Sequence, residues 1–439
     1  MTLHITRLTT TADDFDARLA DLLAWDTRED ADVVAIVRDI IDAVRTQGDE
    51  AVLRLTAELD GVQCASVAEL ELTPADFQRA YQAIPAAERD ALTHAAQRIR
   101  DYHERQRAAD WSFEDALGNR LGQRITPLAR VGLYVPGGQA TYPSTALMTA
   151  IPAKVAGVPE VIMTTPIPAG EASPLLLAAA HVAGIDKAFT IGGAQAVAAL
   201  AYGTASIPRV DKIVGPGGVF VAAAKRLVFG QVGIDLIAGP SEVLVIADGS
   251  TPVEWVVMDL FSQAEHDAVA QALLVTPDAA YLDAVAQTMQ RLLPARLRKA
   301  VISQSLHDRG ALILTRNLEE AFVVANRIAP EHLELAIADP ADYLPLVQNA
   351  GAIFLGPHSG EVMGDYVAGP SHVLPTYGTA RFSSPLGVYD FEKRSSVIEL
   401  SARGVQPLAQ TAATLAHGEG FEAHARAAEL RLKDIDHNI

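Results

Sequence analysis

Four short segments in this 439-residue chain set imidazoles beside carboxylates or amides. Ser262-Gln263-Ala264-Glu265-His266-Asp267 closes a predicted helix, and Gln263 and His266 stand three apart on one face, where both could reach one metal ion. In Ala329-Pro330-Glu331-His332-Leu333 the proline should end a helix, so the Glu-His pair falls on a bend entering a strand. An imidazole that titrates near neutral pH can take a proton, and a carboxylate can activate water. Gly364 to His372 is a glycine-bounded, loop-like stretch with Asp365 and His372 seven residues apart. Glu419-Gly420-Phe421-Glu422-Ala423-His424 opens the last predicted helix. Taken singly, each segment also fits an ordinary surface, and a histidine at a helix C-terminus is favoured by the dipole alone. Taken together, they supply a nitrogen and oxygen ligand set suited to zinc, with acid and base groups left over.

The elements that must carry these groups change character along the chain. Residues 34 to 108 are rich in alanine, leucine and charge at helical spacing and predict two or three long amphipathic helices. From Arg130 onward short apolar runs alternate with alanine-rich helices starting at Pro143, Pro174, Ala194 and Val219. A second such set runs from SEVLVIAD to GAIFLG. The alternation predicts two parallel βαβ domains, similar enough in order to suggest an internal duplication, with ligands at the carboxyl ends of the strands. A short segment and one alanine-rich helix from Val405 to Leu430 complete the chain, either capping its own domain or reaching a partner subunit.

Three glycine turns follow predicted strands in the first set: Pro136-Gly137-Gly138, Gly192-Gly193-Ala194-Gln195 and Gly215-Pro216-Gly217-Gly218. Glycine lets a ligand approach the backbone, and a helix N-terminus behind it favours phosphate. None fits the G-x-G-x-x-G fingerprint, so an atypical dinucleotide or a phosphate site is expected.

Composition narrows the partners. A net charge of −19 disfavours nucleic acid and anionic membrane surfaces. The single cysteine, Cys64, excludes an intrachain disulfide and a cysteine-rich zinc site. No apolar run approaches the ~18 residues of a membrane span, and the N-terminal residues do not read as a secretory signal, so a cytoplasmic location is expected.

From about Arg130 to Ala428 the chain resembles the histidinol dehydrogenase family. The runs that carry the likeness are VGLYVPGG, IPAKVAGV, IGGAQAVAALAYGT, VDKIVGPG, VGIDLIAGPSEVLVIAD, SQAEHD, APEHLEL, GDYVAGPSHVLPT, DFEKR and EGFEAHA. The resemblance implies one zinc per subunit, held by Gln263, His266, Asp365 and His424, with His424 reaching across a homodimer. It implies Glu331 and His332 as the catalytic pair. Ser144, Ser241, His372 and Glu419 fall on substrate-contacting positions, Glu419 coming from the partner chain. Tyr134 and Gln195 fall on nucleotide positions. The implied reaction is a four-electron oxidation of L-histidinol through L-histidinal to L-histidine with two NAD. His332 would take the alcohol proton, and Glu331 would activate the water that attacks the aldehyde. One departure stands out: Gly218 occupies a position where the family usually has asparagine.

The expected architecture is therefore α/β, with two Rossmann-like parallel-sheet domains, helical tail segments and an intertwined homodimer. Its expected parts are an N-terminal tail (1–25), a discontinuous first domain (26–133 and 242–386), a nucleotide-binding second domain (134–241) and a C-terminal tail (387–439) that reaches the partner. A paralogue oxidising another small alcohol to a carboxylate would keep Glu331 and His332 but lose groups that grip imidazole and amine. A purely structural zinc protein would need neither.

Overall fold

The computed structural model describes residues 3–24, 31–137, 141–167 and 172–433, and these form two compact units. The first comprises the described residues up to Gln106 together with Leu128–Phe391, and the second Arg107–Pro127 together with those from Glu392 onward. Gly138 of the first glycine turn lies outside the described residues.

Two six-stranded sheets organise the first unit. One runs Thr6–Thr9, Ala311–Leu314, Gln271–Thr276, Glu242–Ala247, His332–Ala336, Ala352–Leu355, all parallel. The other runs Glu71–Leu72, Lys187–Phe189, Glu160–Thr164, Arg130–Tyr134, Lys212–Val214, Gly233–Ile234, parallel except for its first edge strand. The strand order matches position for position, in keeping with the expected duplication. Central strands such as EVLVIA and QALLVT are buried at every residue, because helices cover both faces of a parallel sheet. Alternate side chains of Glu242–Ala247 feed separate cores: Val243, Val245 and Ala247 on one face, Leu244 and Ile246 on the other.

Several expectations are redrawn. The helices of the N-terminal stretch are four, Ala31–Gln47, Asp49–Leu55, Pro74–Ala83 and Ala86–His103. Gly48, at φ +58°, separates the first two, and Pro74 opens the third. These helices, grouped by sequence with residues 242–386, pack instead around the other sheet. Val37, Val44 and Val52 join the core with Val197 and Ile213, and Phe77 and Ile99 join that with Val131 and Met163. The sheet of residues 242–355 takes its edge strand and one covering helix, Phe15–Leu23, from the chain's beginning.

The second unit contains an antiparallel sheet absent from the sequence reading, Trp111–Glu114, Arg120–Pro127 and Glu392–Glu399. Its terminal helix is two helices, Ala402–Gly418 and Glu422–Lys433, broken where Gly420 adopts φ +79°.

Candidate acid–base and metal site

Helix Leu318–Ile328 stops at Ala329, which takes a left-handed φ of 54°, and Pro330 follows. This bend delivers Glu331 to the mouth of strand His332–Ala336. Both side chains anchor on one residue of the neighbouring strand. A Glu331 carboxylate oxygen accepts the Glu242 N–H at 2.8 Å, and His332 Nδ1 lies 3.0 Å from the Glu242 carbonyl. A carbonyl only accepts, so Nδ1 carries the proton and Nε2 keeps its lone pair. Nε2 faces Asp365 Oδ1 at 3.8 Å, while Nδ1 lies 3.6 Å from Glu331 and 3.9 Å from Glu361. Burial holds His332 below the usual imidazole range, as a neutral base. Burial likewise pushes Glu331 well above the usual carboxylate range, helped by the charges of Glu242 and Asp365.

Asp365 is not on a loop, as its glycine flanks suggested, but on the short helix Glu361–Tyr366. That helix brings up Glu361, which the sequence reading missed. His332, Glu361 and Asp365 offer ligand atoms within 4.8 Å of one another. Of these only Asp365 belongs to the zinc set implied by resemblance. The i,i+4 spacing of two carboxylates was the available signal for Glu361, but it is common on solvated helices.

Gln263 is fully buried on helix Val253–Ala264, and neither polar atom of its amide has a partner. A buried amide normally finds partners, so this pair of orphaned atoms fits a ligand to an ion. His266 is exposed one turn on, and a positive charge there would oppose protonation of both His332 and His372. His372 directs Nδ1 at the Asp365 carbonyl (3.0 Å) and Nε2 at Thr145 Oγ1 (3.3 Å), the latter in the first turn of helix Pro143–Ala156. Ser144 lies in that same first turn and Ser241 immediately precedes strand Glu242–Ala247, both half-buried. Glu419 and His424 belong to the second unit, Glu419 capping helix Ala402–Gly418 and His424 in the first turn of Glu422–Lys433, both exposed.

The acid–base cluster therefore gathers at the amino ends of strands Glu242–Ala247 and His332–Ala336, not at the carboxyl ends where ligands were expected. The glycine turns do lie at carboxyl ends, those of the other sheet. Tyr134 ends strand Arg130–Tyr134, and its hydroxyl accepts the Gly193 N–H at 3.1 Å. Gln195 is buried, donates to Asp60 at 3.2 Å and leaves Oε1 without a partner. Asp60, which also accepts the Gly192 N–H, is a second residue the reading missed, because it ends the short helix Thr56–Asp60 more than a hundred residues away. Gly137 and Gly192 are required where they stand, since a β-carbon would come within 2.3 Å and 2.4 Å of Pro166 atoms. Gly218 caps helix Val219–Val228 with open space around it.

Fold and site together define an α/β protein with a buried acid–base pair beside a set of nitrogen and oxygen donors able to hold a divalent cation. The family model described as histidinol dehydrogenase matches residues 24–432. Proteins named histidinol dehydrogenase from Pseudomonas syringae pv. tomato and Dechloromonas aromatica are 58% and 57% identical, over 98% of this chain and 96% and 99% of theirs. The crystal structure of histidinol dehydrogenase from Elizabethkingia anophelis superposes with a TM-score of 0.93 at 32% identity, covering 99% of this chain and 100% of that one. The chain belongs to the histidinol dehydrogenase family, and is thus an oxidoreductase. No helix among the described residues is long and apolar enough to cross a membrane.

Proposed function

We propose that this protein oxidises L-histidinol to L-histidine through L-histidinal, with two NAD and one zinc per subunit, as a homodimer with shared sites in the cytoplasm. The observation that carries this reading is the buried Glu331–His332 pair together with an orphaned, fully buried Gln263 amide in a chain of this family. Zinc would be held by Gln263, His266, Asp365 and His424 of the partner subunit. When bound, zinc supplies a fixed point for the substrate's imidazole and amine, and NAD supplies the hydride acceptor.

His332 works as the base on the alcohol. Its Nε2 is unprotonated because Nδ1–H is committed to the Glu242 carbonyl. Glu331 works as the base on water at the aldehyde stage, since the only cysteine, Cys64, packs with the Val37 and Val197 core away from this cluster. His372, Ser144, Ser241 and the partner's Glu419 would contact substrate. Tyr134, Gln195 and the Gly218 backbone would line the nucleotide site. We assign the nucleotide to the domain of residues 134–241 and the shared tail to residues 387–439.

Homodimerisation draws support from the second unit, whose buried apolar side chains among the described residues are only Ala409, Ala413 and Ala425. Trp111, Phe113, Ile398, Leu415 and Phe421 are all more than half exposed. So small a core calls for another surface to complete it.

The deciding experiment mixes purified protein, zinc, NAD and L-histidinol and counts NADH formed per histidinol consumed. Two are expected, with activity lost on chelation and restored by zinc. One NADH per histidinol, or full activity without metal, overturns the reading. For the shared site, His266→Ala and His424→Ala homodimers should be nearly inactive, whereas co-refolding should return about a quarter of wild-type activity through heterodimers that keep one intact site.

A further inference from the structure

We propose that the buried Lys225–Asp235 pair is a positioning device for the turn Gly215–Gly218, holding that turn in the shape that binds the nucleotide. The inference rests on the nucleotide reading above. Lys225 projects inward from helix Val219–Val228, and Asp235 follows strand Gly233–Ile234; both side chains are 2% exposed. They hydrogen-bond to each other, and each also binds Gly215. Asp235 Oδ2 accepts the Gly215 N–H at 2.7 Å, and Lys225 Nζ donates to the Gly215 carbonyl at 2.9 Å. One ion pair thus fixes both peptide planes that flank a single glycine.

Gly215 needs that hold. It sits at φ +109°, and a β-carbon there would lie 2.2 Å from the Tyr134 carbonyl oxygen. Gly215 thus packs against the backbone of Tyr134, whose hydroxyl accepts the Gly193 N–H of a second glycine turn. An ammonium and a carboxylate taken out of water carry a desolvation cost that two apolar side chains of the same volume would not. Such a pair adds little to stability over that alternative. What it adds is direction: charge-assisted bonds that set the orientation of backbone amides, which apolar packing cannot do. No other role is evident for it, as neither group lies among those of the acid–base cluster.

The test uses the full-length, zinc-loaded enzyme and NAD binding measured by calorimetry, alongside steady-state kinetics and thermal melting. Lys225→Met leaves a buried carboxylate uncompensated and should lower the melting temperature. Lys225→Met/Asp235→Asn removes both charges and should recover much of it. In both variants the Kd and KM for NAD should rise about tenfold or more, while zinc content and the KM for histidinol stay within about twofold. If NAD affinity returns with the melting temperature in the double variant, or never changes, the pair is only structural and the proposal fails. Should the wild-type protein itself bind no NAD, the nucleotide reading falls and takes this proposal with it, a result separable from the first by that control.

Discussion

The two sheets of the first unit share a strand order and differ in which ends carry the candidate functional groups. In the sheet centred on Arg130–Tyr134, glycine turns follow the carboxyl ends and lead into helix N-termini at Gly193 and Val219. In the sheet centred on Glu242–Ala247, Glu331, His332 and Ser241 stand at the amino ends, beside the C-terminus of helix Val253–Ala264 with Gln263 and His266. A helix N-terminus presents unpaired N–H groups and partial positive charge, suited to phosphate. A helix C-terminus presents the opposite sign, suited to a metal ion or an imidazolium. On the proposed function, the rule that ligands sit at strand carboxyl ends would hold for the half that suits an anion and reverse for the half that suits a cation.

The strongest way to break this division of labour is His332→Asn. It should lower kcat by about 10²–10⁴-fold, as expected for loss of a general base, while the KM for NAD stays near wild type. A parallel rise in that KM, measured by steady-state kinetics, would mean that the two ends do not work separately.

Glu242 sharpens the contrast by an effect on stability. It opens the central strand of the acid–base sheet, buried and with its carboxyl pushed up to about 7, chiefly by burial, whereas the matching strand of the other sheet opens on half-buried Arg130. Between pH 4.5 and about 7 the folded protein keeps a proton that the unfolded chain releases. Stability from this group is therefore full below the lower value and declines as pH rises through the higher one. Glu242→Gln keeps an acceptor for the Tyr377 N–H and does not titrate. In urea melts its stability relative to wild type should improve by about 3 kcal/mol from pH 4.5 to pH 8. A constant difference would show that Glu242 is charged in the folded state.

The smallest effect is expected at the nucleotide end. Gly218→Asn meets nothing within 4 Å and caps helix Val219–Val228 in an extended conformation open to any residue. Stability should rise by a few tenths of a kcal/mol, and zinc content should not move. The KM for NAD should fall slightly if the side chain reaches the nucleotide; an unchanged value in kinetic assays would mean that the backbone suffices.

Fully buried apolar runs, prolines at helix starts and glycines after strands are local signals, so the sequence by itself determined the alternating elements, the two parallel sheets and their common order. The same locality made Glu331 and His332 legible, because a proline bend before a strand acts on adjacent residues. The wrapping of helices 31–103 around the later sheet was decided by tertiary packing alone, since amphipathic spacing names a buried face but not what buries it. The antiparallel sheet of residues 111–127 and 392–399 depends on a pairing across more than 250 residues, and its strands are too exposed to leave an apolar signature. Glu361, Asp60 and the Lys225–Asp235 clamp escaped for a related reason. A charged residue in a helix or turn reads as solvated until the fold closes over it, and only then does burial make its partners obligatory.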